Sequence, residues 1–441
     1  MSTSTDRPTL PPTPLDRSAP PQLDTLVIPK ERYLSPDFAR LEWEKMWTRT
    51  WTMAGRESDI PESGDYFTLE LGTESVLIIR QKSGAIEARF NVCSHRGNRL
   101  REPGMGHAES FTCLFHNWRY AIDGSVESIH DPETFPQQCP LEDLALRPVR
   151  CECWGGFVWV NLDPDAAPLH DYLGVIPRHL DPYHFEEMIL LDDVTIEIAC
   201  NWKTSVDAFN EPYHMAATHP DTLAFSDDVN VPIDCYELHS RMIMPLGVAS
   251  PRHPDHGKVN DAIRRDFLAR YGIDATAFSG NADEVQPAIA KAVREVHAGA
   301  LGADFSELAD QQLVDDFHYT VFPNLTFNIF GMNAWVFRHR PHPTDPDRMY
   351  FDFFNLLRAP GSSNPRPDHR HYVATDDLVV ELTGGGGDLL AQDTYNLPRV
   401  QSGMHSRGFR GLFLGDQEVR IRHFHQTLQA YIEDRLPRGD G

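Results

Sequence analysis

The sequence predicts an α+β chain of two units, and three observations carry that reading. Short β runs at Tyr66–Leu71, Ser75–Arg80 and Ile86–Asn91, separated by Gly72 and the turn Lys82-Ser83-Gly84, describe a small antiparallel β unit. Strands return at Tyr319–Phe322, Thr326–Ile329, Ala334–His339 and Met349–Leu357, alternating apolar and polar residues as a sheet with one buried face does. Helical stretches accompany this second sheet, among them a C-terminal stripe of Ile421, Phe424, Leu428, Tyr431 and Ile432.

At 441 residues the chain can hold more than one core. No run of eighteen apolar residues is present, and the start MSTSTDRPTLPP lacks the basic and apolar regions of a signal peptide, so the expectation is a cytoplasmic protein outside the membrane. A formal net charge of −25 would repel nucleic acid and anionic lipid alike. Seven cysteines in a chain of this length suit a reducing compartment and leave thiols available for metal.

Residues 1 to about 28 are rich in Pro, Ser and Thr and read as an arm. Ser35-Pro36-Asp37 then starts a helix, with an N-cap serine, a proline in the first turn and an early acid. Its Phe38, Leu41, Trp43, Met46 and Trp47 are read as core, and the arm and helix together occupy 1–48. The β unit is assigned to 49–164, closing with the strand around Trp154–Leu162. Within it, Cys93-x-His95 and Cys113-x2-His116 place two thiols and two imidazoles on two loops. That donor set suits either structural zinc or a two-iron, two-sulfur cluster in which two histidines replace two cysteines on one iron. Cys151 and Cys153 share a strand face without a second pair nearby and are read as structural thiols.

A linker with Pro168, Gly174, Pro177 and Pro182 leads to a strand at Leu190–Ala199 and then to Ala208–Pro220, AFNEPYHMAATHP. On a regular helix His214 and His219 would point roughly 140° apart. Pro220, however, pushes His219 out of the α region, so the helix should end at Thr218 and free His219 to turn back toward His214. Asp207, Glu211 and His214 would form one polar stripe if the helix is continuous, with a kink at Pro212. Asp207 and Glu211 are the candidate catalytic carboxylates of this stretch. Residues 222 to about 318 interrupt the sheet with helices, for example Asn260–Tyr271 and Val285–Ala298. In GDLLAQDTYNLPRVQSGM, Asp393 shares a helical stripe with Leu389, Leu397 and Val400, a costly place for a carboxylate unless it is paired or metal-bound. Asp388 competes but sits at the expected N-cap, after a flexible turn of four glycines at 384–387 that could gate the site.

The runs CSHRGNRL and CLFHNWRYAIDGSV resemble the Rieske motif of the ring-hydroxylating oxygenases, and NWK…VDAFNEPYHMAATHP is similar to the start of their catalytic domain. The resemblance implies a Rieske [2Fe-2S] cluster on Cys93, His95, Cys113 and His116, with Asn117 standing where the family has glycine. It also implies a helix-grip (START-like) catalytic domain over 165–441, with an antiparallel sheet and a mononuclear Fe(II) held by His214, His219 and Asp393. Such a protein is the α subunit of a terminal oxygenase. It uses O2 and electrons from an NAD(P)H-dependent reductase, directly or through a ferredoxin, to hydroxylate a hydrophobic aromatic or cyclic substrate. The expected assembly is a homotrimer, with or without a β subunit, in which Glu211 links a cluster histidine of one subunit to an iron histidine of the next.

Oxidation or demethylation of a quaternary amine is the alternative activity, and some members acting on such amines also resemble this chain in having glutamate there. From other classes, an electron-transfer protein using only the β unit, or a zinc-stabilised helix-grip protein that binds lipid, would also suit part of the sequence. Arg96, Arg99, Arg101 and Arg119 flank the cluster loops as a docking patch for an acidic electron donor or as ion-pair partners within the trimer. Tyr213, Phe322, Asn324, Phe327, Asn328 and Trp335 are the candidate substrate-pocket residues.

Overall fold

The computed structural model describes residues 15, 17–25, 27–135, 140–277, 281–362, 366–374 and 387–436. Two compact units are present, one built on Arg40–Tyr172 and the other on Leu173–Glu433 with the described part of the first 39 residues. The helix expected after Ser35 begins at Pro36 and continues through Trp47, with Ser35 Oγ accepting from the Phe38 amide at 3.3 Å.

In the first unit, a sheet runs in the order β1 (Thr52–Arg56), β10 (Phe157–Asn161), β9 (Pro148–Trp154), β4 (Ile86–Phe90), β3 (Glu74–Arg80), β2 (Asp65–Leu71) and β5 (Met105–His107). Every described pairing within it is antiparallel. A second, three-stranded sheet joins β6 (Ser110–Thr112), β7 (Arg119–Ala121) and β8 (Val126–Ser128). One cysteine-histidine loop leaves β4 and the other connects β6 to β7. Both cysteines are buried in a core with Leu77, Ile79, Phe111, Trp118 and Tyr120.

In the larger unit, the sheet order is β12 (Ile233–Cys235), β13 (Ser240–Met244), β14 (Asp316–Val321), β15 (Leu325–Phe330), β16 (Asn333–Pro341), β17 (Met349–Arg358), β11 (Met188–Ile198) and β18 (Arg370–Val373). Its pairings are antiparallel except for the parallel edge pair of β11 and β18. One sheet face carries His318, Thr320, Thr326, Asn328, Trp335, Phe337 and His339. The segment following Trp202 lies over that face: Ser205 hydrogen-bonds His339 Nδ1 at 2.9 Å, and Phe209 packs against Phe337 and His339. The C-terminal helix Val419–Ile432 reaches the same face through Arg420. The helical interruption is found at Ile263–Leu268 and from Val285 to Leu301.

Two expectations change. The helix carrying Asp207 is not kinked at Pro212 but ends at Ala208, and a separate turn of helix begins at Met215. Pro212 has no amide to give back to Ala208, and Glu211 before it is biased away from helical geometry. In the late helix Gly387–Met404 the buried stripe is Leu390, Ala391, Asp393, Leu397, Gln401 and Met404, while Val400 is exposed. Residues 384–386 of the glycine run, and the Asp388 side chain, lie outside the described residues.

Buried charge is paired on the opposite sheet face. Asp352 accepts from Arg338 Nε at 2.7 Å, from Arg340 at 2.6 and 2.8 Å and from Thr195 Oγ1 at 2.6 Å. Burial pushes the Asp352 carboxyl up, but Arg340 and Arg338 outweigh it and hold the group far below the ordinary carboxylate range. Because the folded carboxyl titrates below the unfolded one, its contribution is complete above about pH 4 and is lost as pH falls toward the folded value. Asp352→Ala is expected to lower the unfolding free energy by about 3–5 kcal/mol at neutral pH, read from denaturant midpoints at an unchanged slope.

Candidate metal centres

The two cysteine-histidine loops repeat one backbone pattern. In the first, the Cys93 amide donates to Asn98 O at 2.8 Å and the Gly97 amide to Cys93 O at 3.0 Å. In the second, Cys113 N meets Trp118 O at 2.8 Å and Asn117 N meets Cys113 O at 3.0 Å. Gly97 has φ +75° and Asn117 φ +57°. Asparagine tolerates this left-handed conformation better than other side chains, so the loop keeps its form without the glycine.

The loops bring their four donors together. The His95 and His116 rings lie 4.6 Å apart between centroids, and His95 stacks on Trp118 at 4.8 Å. Cys93 and Cys113 lie within hydrogen-bonding reach of each other, and His95 Nδ1 is buried with no hydrogen-bond partner. Tyr120 hydroxyl lies 3.3 Å from Cys93 Sγ. Burial pushes the Cys93 thiol up. At Cys113 burial acts in the same direction, but the Phe115 and His116 amides, with Cys93 and Asn98, bring the thiol below its ordinary value. A thiolate pair facing two imidazoles, with N–H groups aimed at sulfur, fits a Rieske-type cluster; the unpartnered Nδ1 is a ready ligand atom.

Around the loops Leu114 is 87% and Phe115 56% exposed, with Arg96 stacked over the Phe115 ring. Arg99 pairs with Glu70 and Arg119 with Glu127, while Arg101 donates to the Leu100 and Ser110 carbonyls. Thus three of the four arginines are held within their own unit. Cys151 and Cys153 lie on β9, their thiols pushed up mainly by burial.

The second centre is assembled from three segments. Asn201, with extended backbone, caps the helix Trp202–Ala208 by accepting from the Lys203 amide. Glu211 Oε2 then accepts from the His214 amide at 2.9 Å, and its Oε1 lies 2.7 Å from His214 Nδ1. The next helical turn stops at Thr218, and His219, with φ −122° and ψ 52°, lies outside the α region that Pro220 disfavours for it. The two rings lie 5.1 Å apart. Asp393 Oδ1, supplied by the late helix, is 3.1 Å from His219 Nε2 and 3.8 Å from His214 Nε2. The ligand atoms of His214, His219 and Asp393 all lie within 4.8 Å of one another, and Asp393 is 6% exposed. Two imidazoles and one carboxylate on one side of a point fit a ferrous ion with open positions. Against the effect of burial, Glu211 and then Asp393 hold the His214 imidazole above its ordinary range.

Asp207 is not part of this grouping. It accepts from Tyr33 hydroxyl at 2.5 Å and faces His425 Nε2 at 3.3 Å. Sequence reasoning missed Gln392, whose Oε1 lies 2.5 Å from His219 Nδ1; its only signal was adjacency to Asp393. The supposed pocket residues separate. Tyr213 is 63% exposed, Phe322 stacks on Tyr431, Asn324 bonds the His339 carbonyl, and Phe327 packs on Phe185. Asn328 and Trp335 remain on the face beneath the histidine segment.

The sequence matches the family described as "Ring hydroxylating alpha subunit (catalytic domain)" over residues 185–434, and the "Rieske [2Fe-2S] domain" over 50–142. The glycine betaine monooxygenase oxygenase subunit of Pseudomonas aeruginosa is 28% identical over 208 residues, 46% of this chain and 48% of that protein. The chain thus spans about half the length of that curated relative. The large oxygenase component of the 2,4-dinitrotoluene dioxygenase system from Burkholderia sp. is 28% identical over 426 residues, 89% of this chain and 87% of the relative. The crystal structure of the quaternary ammonium Rieske monooxygenase CntA with L-carnitine has the same fold, with TM-score 0.65, 20% identity and coverage of 92% of this chain and 95% of that one. Among the described residues no helix is long and apolar enough to cross a membrane.

Gln392→Leu removes the acceptor that orients the His219 ring. It is expected to weaken ferrous-ion binding about 10- to 100-fold by equilibrium dialysis.

Proposed function

Since the chain belongs to the ring-hydroxylating oxygenase α-subunit family, with its Rieske [2Fe-2S] domain and non-haem iron catalytic domain, we propose that it is a terminal oxygenase acting on a small organic substrate with O2. The observation that carries this is the convergence of His214, His219 and Asp393 in a chain that also brings together Cys93, His95, Cys113 and His116. In this reading Cys93, His95, Cys113 and His116 hold the [2Fe-2S] cluster, and His214, His219 and Asp393 hold the iron. Residues 49–164 store the electron and 165–441 carry the oxygenation, with 1–48 as an appended arm and helix. When bound, the two centres supply electron storage and the reductive activation of dioxygen.

The chain's own residues prepare the iron site by orientation. Glu211 keeps a proton at His214 Nδ1 and Gln392 keeps one at His219 Nδ1, so both Nε2 atoms face Asp393 as ligands. One of these partners is anionic and the other neutral, so the two imidazoles differ in basicity. At the first site, Tyr120 donates toward Cys93 sulfur and the loop amides toward Cys113, which favours the reduced, more negative state.

Electrons come from an NAD(P)H-dependent reductase, with or without a ferredoxin, and the working assembly is a homotrimer. Inter-subunit electron transfer is described for a quaternary ammonium Rieske monooxygenase of the same fold. Glu211, already fixed on His214, is the residue we assign to receive a cluster histidine of a neighbouring subunit. For substrate, the aromatic groups Trp335, Phe337 and Phe353 on and beside the face under the metal segment suit an apolar ring or an alkylammonium cation.

The purified protein is expected to be red-brown, with acid-labile sulfide and iron in excess of the cluster. A colourless protein containing zinc would overturn the oxygenase reading. Glu211→Ala is expected to retain the cluster's visible spectrum and to lose product formation with excess reductase, whereas turnover near the wild-type rate would remove Glu211 from its assigned role.

A further inference from the structure

Beneath the histidine segment lies a group of buried N–H donors from which no described residue accepts. Arg420, on the C-terminal helix, is 0% exposed. Its Nε donates to Ser240 Oγ at 3.0 Å, and its Nη2 donates to Thr320 Oγ1 at 2.7 Å and His318 Nδ1 at 3.1 Å. Its Nη1 is buried with no hydrogen-bond partner. Because His318 Nδ1 accepts from a guanidinium, and burial with the Arg420 charge keeps this imidazole neutral, its proton sits on Nε2; that atom too is buried without a partner. Thr320 passes its own hydroxyl proton to Asn210 Oδ1, leaving Asn210 Nδ2 buried and unpartnered. Asn328 stands directly opposite His318 in the β14–β15 pairing, and its Nδ2 is the fourth such donor.

The charge balance points the same way. No carboxylate among the described residues forms an ion pair with Arg420. Asp234 is occupied by Arg241 and Arg17. Asp316, on the same strand as His318, accepts from the Ile329 amide and has its carboxyl pushed up to about 8 by burial, so near neutral pH it is mostly uncharged. A buried cation with an unused N–H, at the same sheet face as three neutral N–H donors that have no partner among the described residues, is costly as it stands and complementary to an anion with several acceptor positions. Asn210 immediately precedes Glu211, whose carboxylate holds His214, so the segment that carries the histidine also carries one of the donors.

We propose that Arg420, His318, Asn210 and Asn328 form a carboxylate-binding subsite, so that the substrate is a small organic carboxylate anchored by its carboxyl group beneath the metal segment. This rests on the terminal oxygenase reading and narrows its substrate class. The carboxylate can belong to a zwitterionic quaternary amine or to an aromatic acid; the donors recognise the group the two share.

The test uses the red-brown holoenzyme and matched probes that differ in the carboxylate: glycine betaine against choline, and benzoate against toluene. Dissociation constants are measured by calorimetry without reductant, so binding is read apart from turnover. In at least one pair the carboxylate is expected to bind about 10- to 100-fold more tightly. Arg420→Gln should abolish that preference and Arg420→Lys restore part of it. Asn328→Leu, which removes a donor without touching the buried charge, should reduce it and keeps the test decisive if the arginine variants do not fold. The proposal is overturned if neither carboxylate binds, if neutral and anionic members bind alike, or if all variants keep the wild-type preference, the outcome of a purely structural network. Colour, sulfide and iron content are scored on the same samples, so failure of the oxygenase reading shows there and failure of the subsite shows only in the binding constants.

Discussion

A carboxylate as deeply buried as Asp393 is stable only beside compensating charge or metal, and much of the larger unit is arranged to meet that demand. The late helix brings Asp393 to two imidazoles whose segment has been broken twice, once at Pro212 and once before Pro220. Each break has a local cause in proline stereochemistry, and without both the rings could not turn toward one point. Glu211 and Gln392 then fix the rings from behind, so the ligand atoms of His214, His219 and Asp393 face one another.

The smaller unit solves a similar problem with sheets. Its two loops use the same pair of backbone hydrogen bonds to close a turn around each cysteine, and each needs one residue in the left-handed region. Gly97 meets that need without a side chain, while Asn117 meets it with an amide that tolerates the conformation. Both thiols are thereby sunk into the apolar core, while Leu114 and Phe115 remain at the surface beside it. The Arg96 guanidinium stacks on this apolar, partly aromatic rim.

Polar groups inside the larger unit fall into two kinds. Asp352 with Arg338 and Arg340 is closed: both guanidiniums donate to the one carboxylate, and its acceptor oxygens are used within the sheet. Arg420 with His318, Asn210 and Asn328 is open, holding donors in excess of acceptors on the face that the metal segment covers. The contrast lies in where the groups sit. The closed network occupies the face away from the histidines, and the open one the face toward them.

By itself the sequence determined the class of fold, the cysteine and histidine donors of the smaller unit, and the departure of His219 from its helix. These are local matters: hydrophobic period, motif spacing and the effect of proline on its neighbours act over a few residues. The helix bearing Asp207 shows the limit, because a stripe drawn on a continuous helix fails once the helix breaks, and Asp207 turns instead to Tyr33 and His425. Val400, expected on the buried stripe, is exposed and Leu390 is buried for a related reason, since the buried side of the late helix is set by what it packs against. Gln392 against His219, and Arg420 against His318, join residues far apart in the chain, and no periodicity records such meetings. Only the tertiary structure decided them, because the partners of a buried polar atom are chosen by the packing of whole elements.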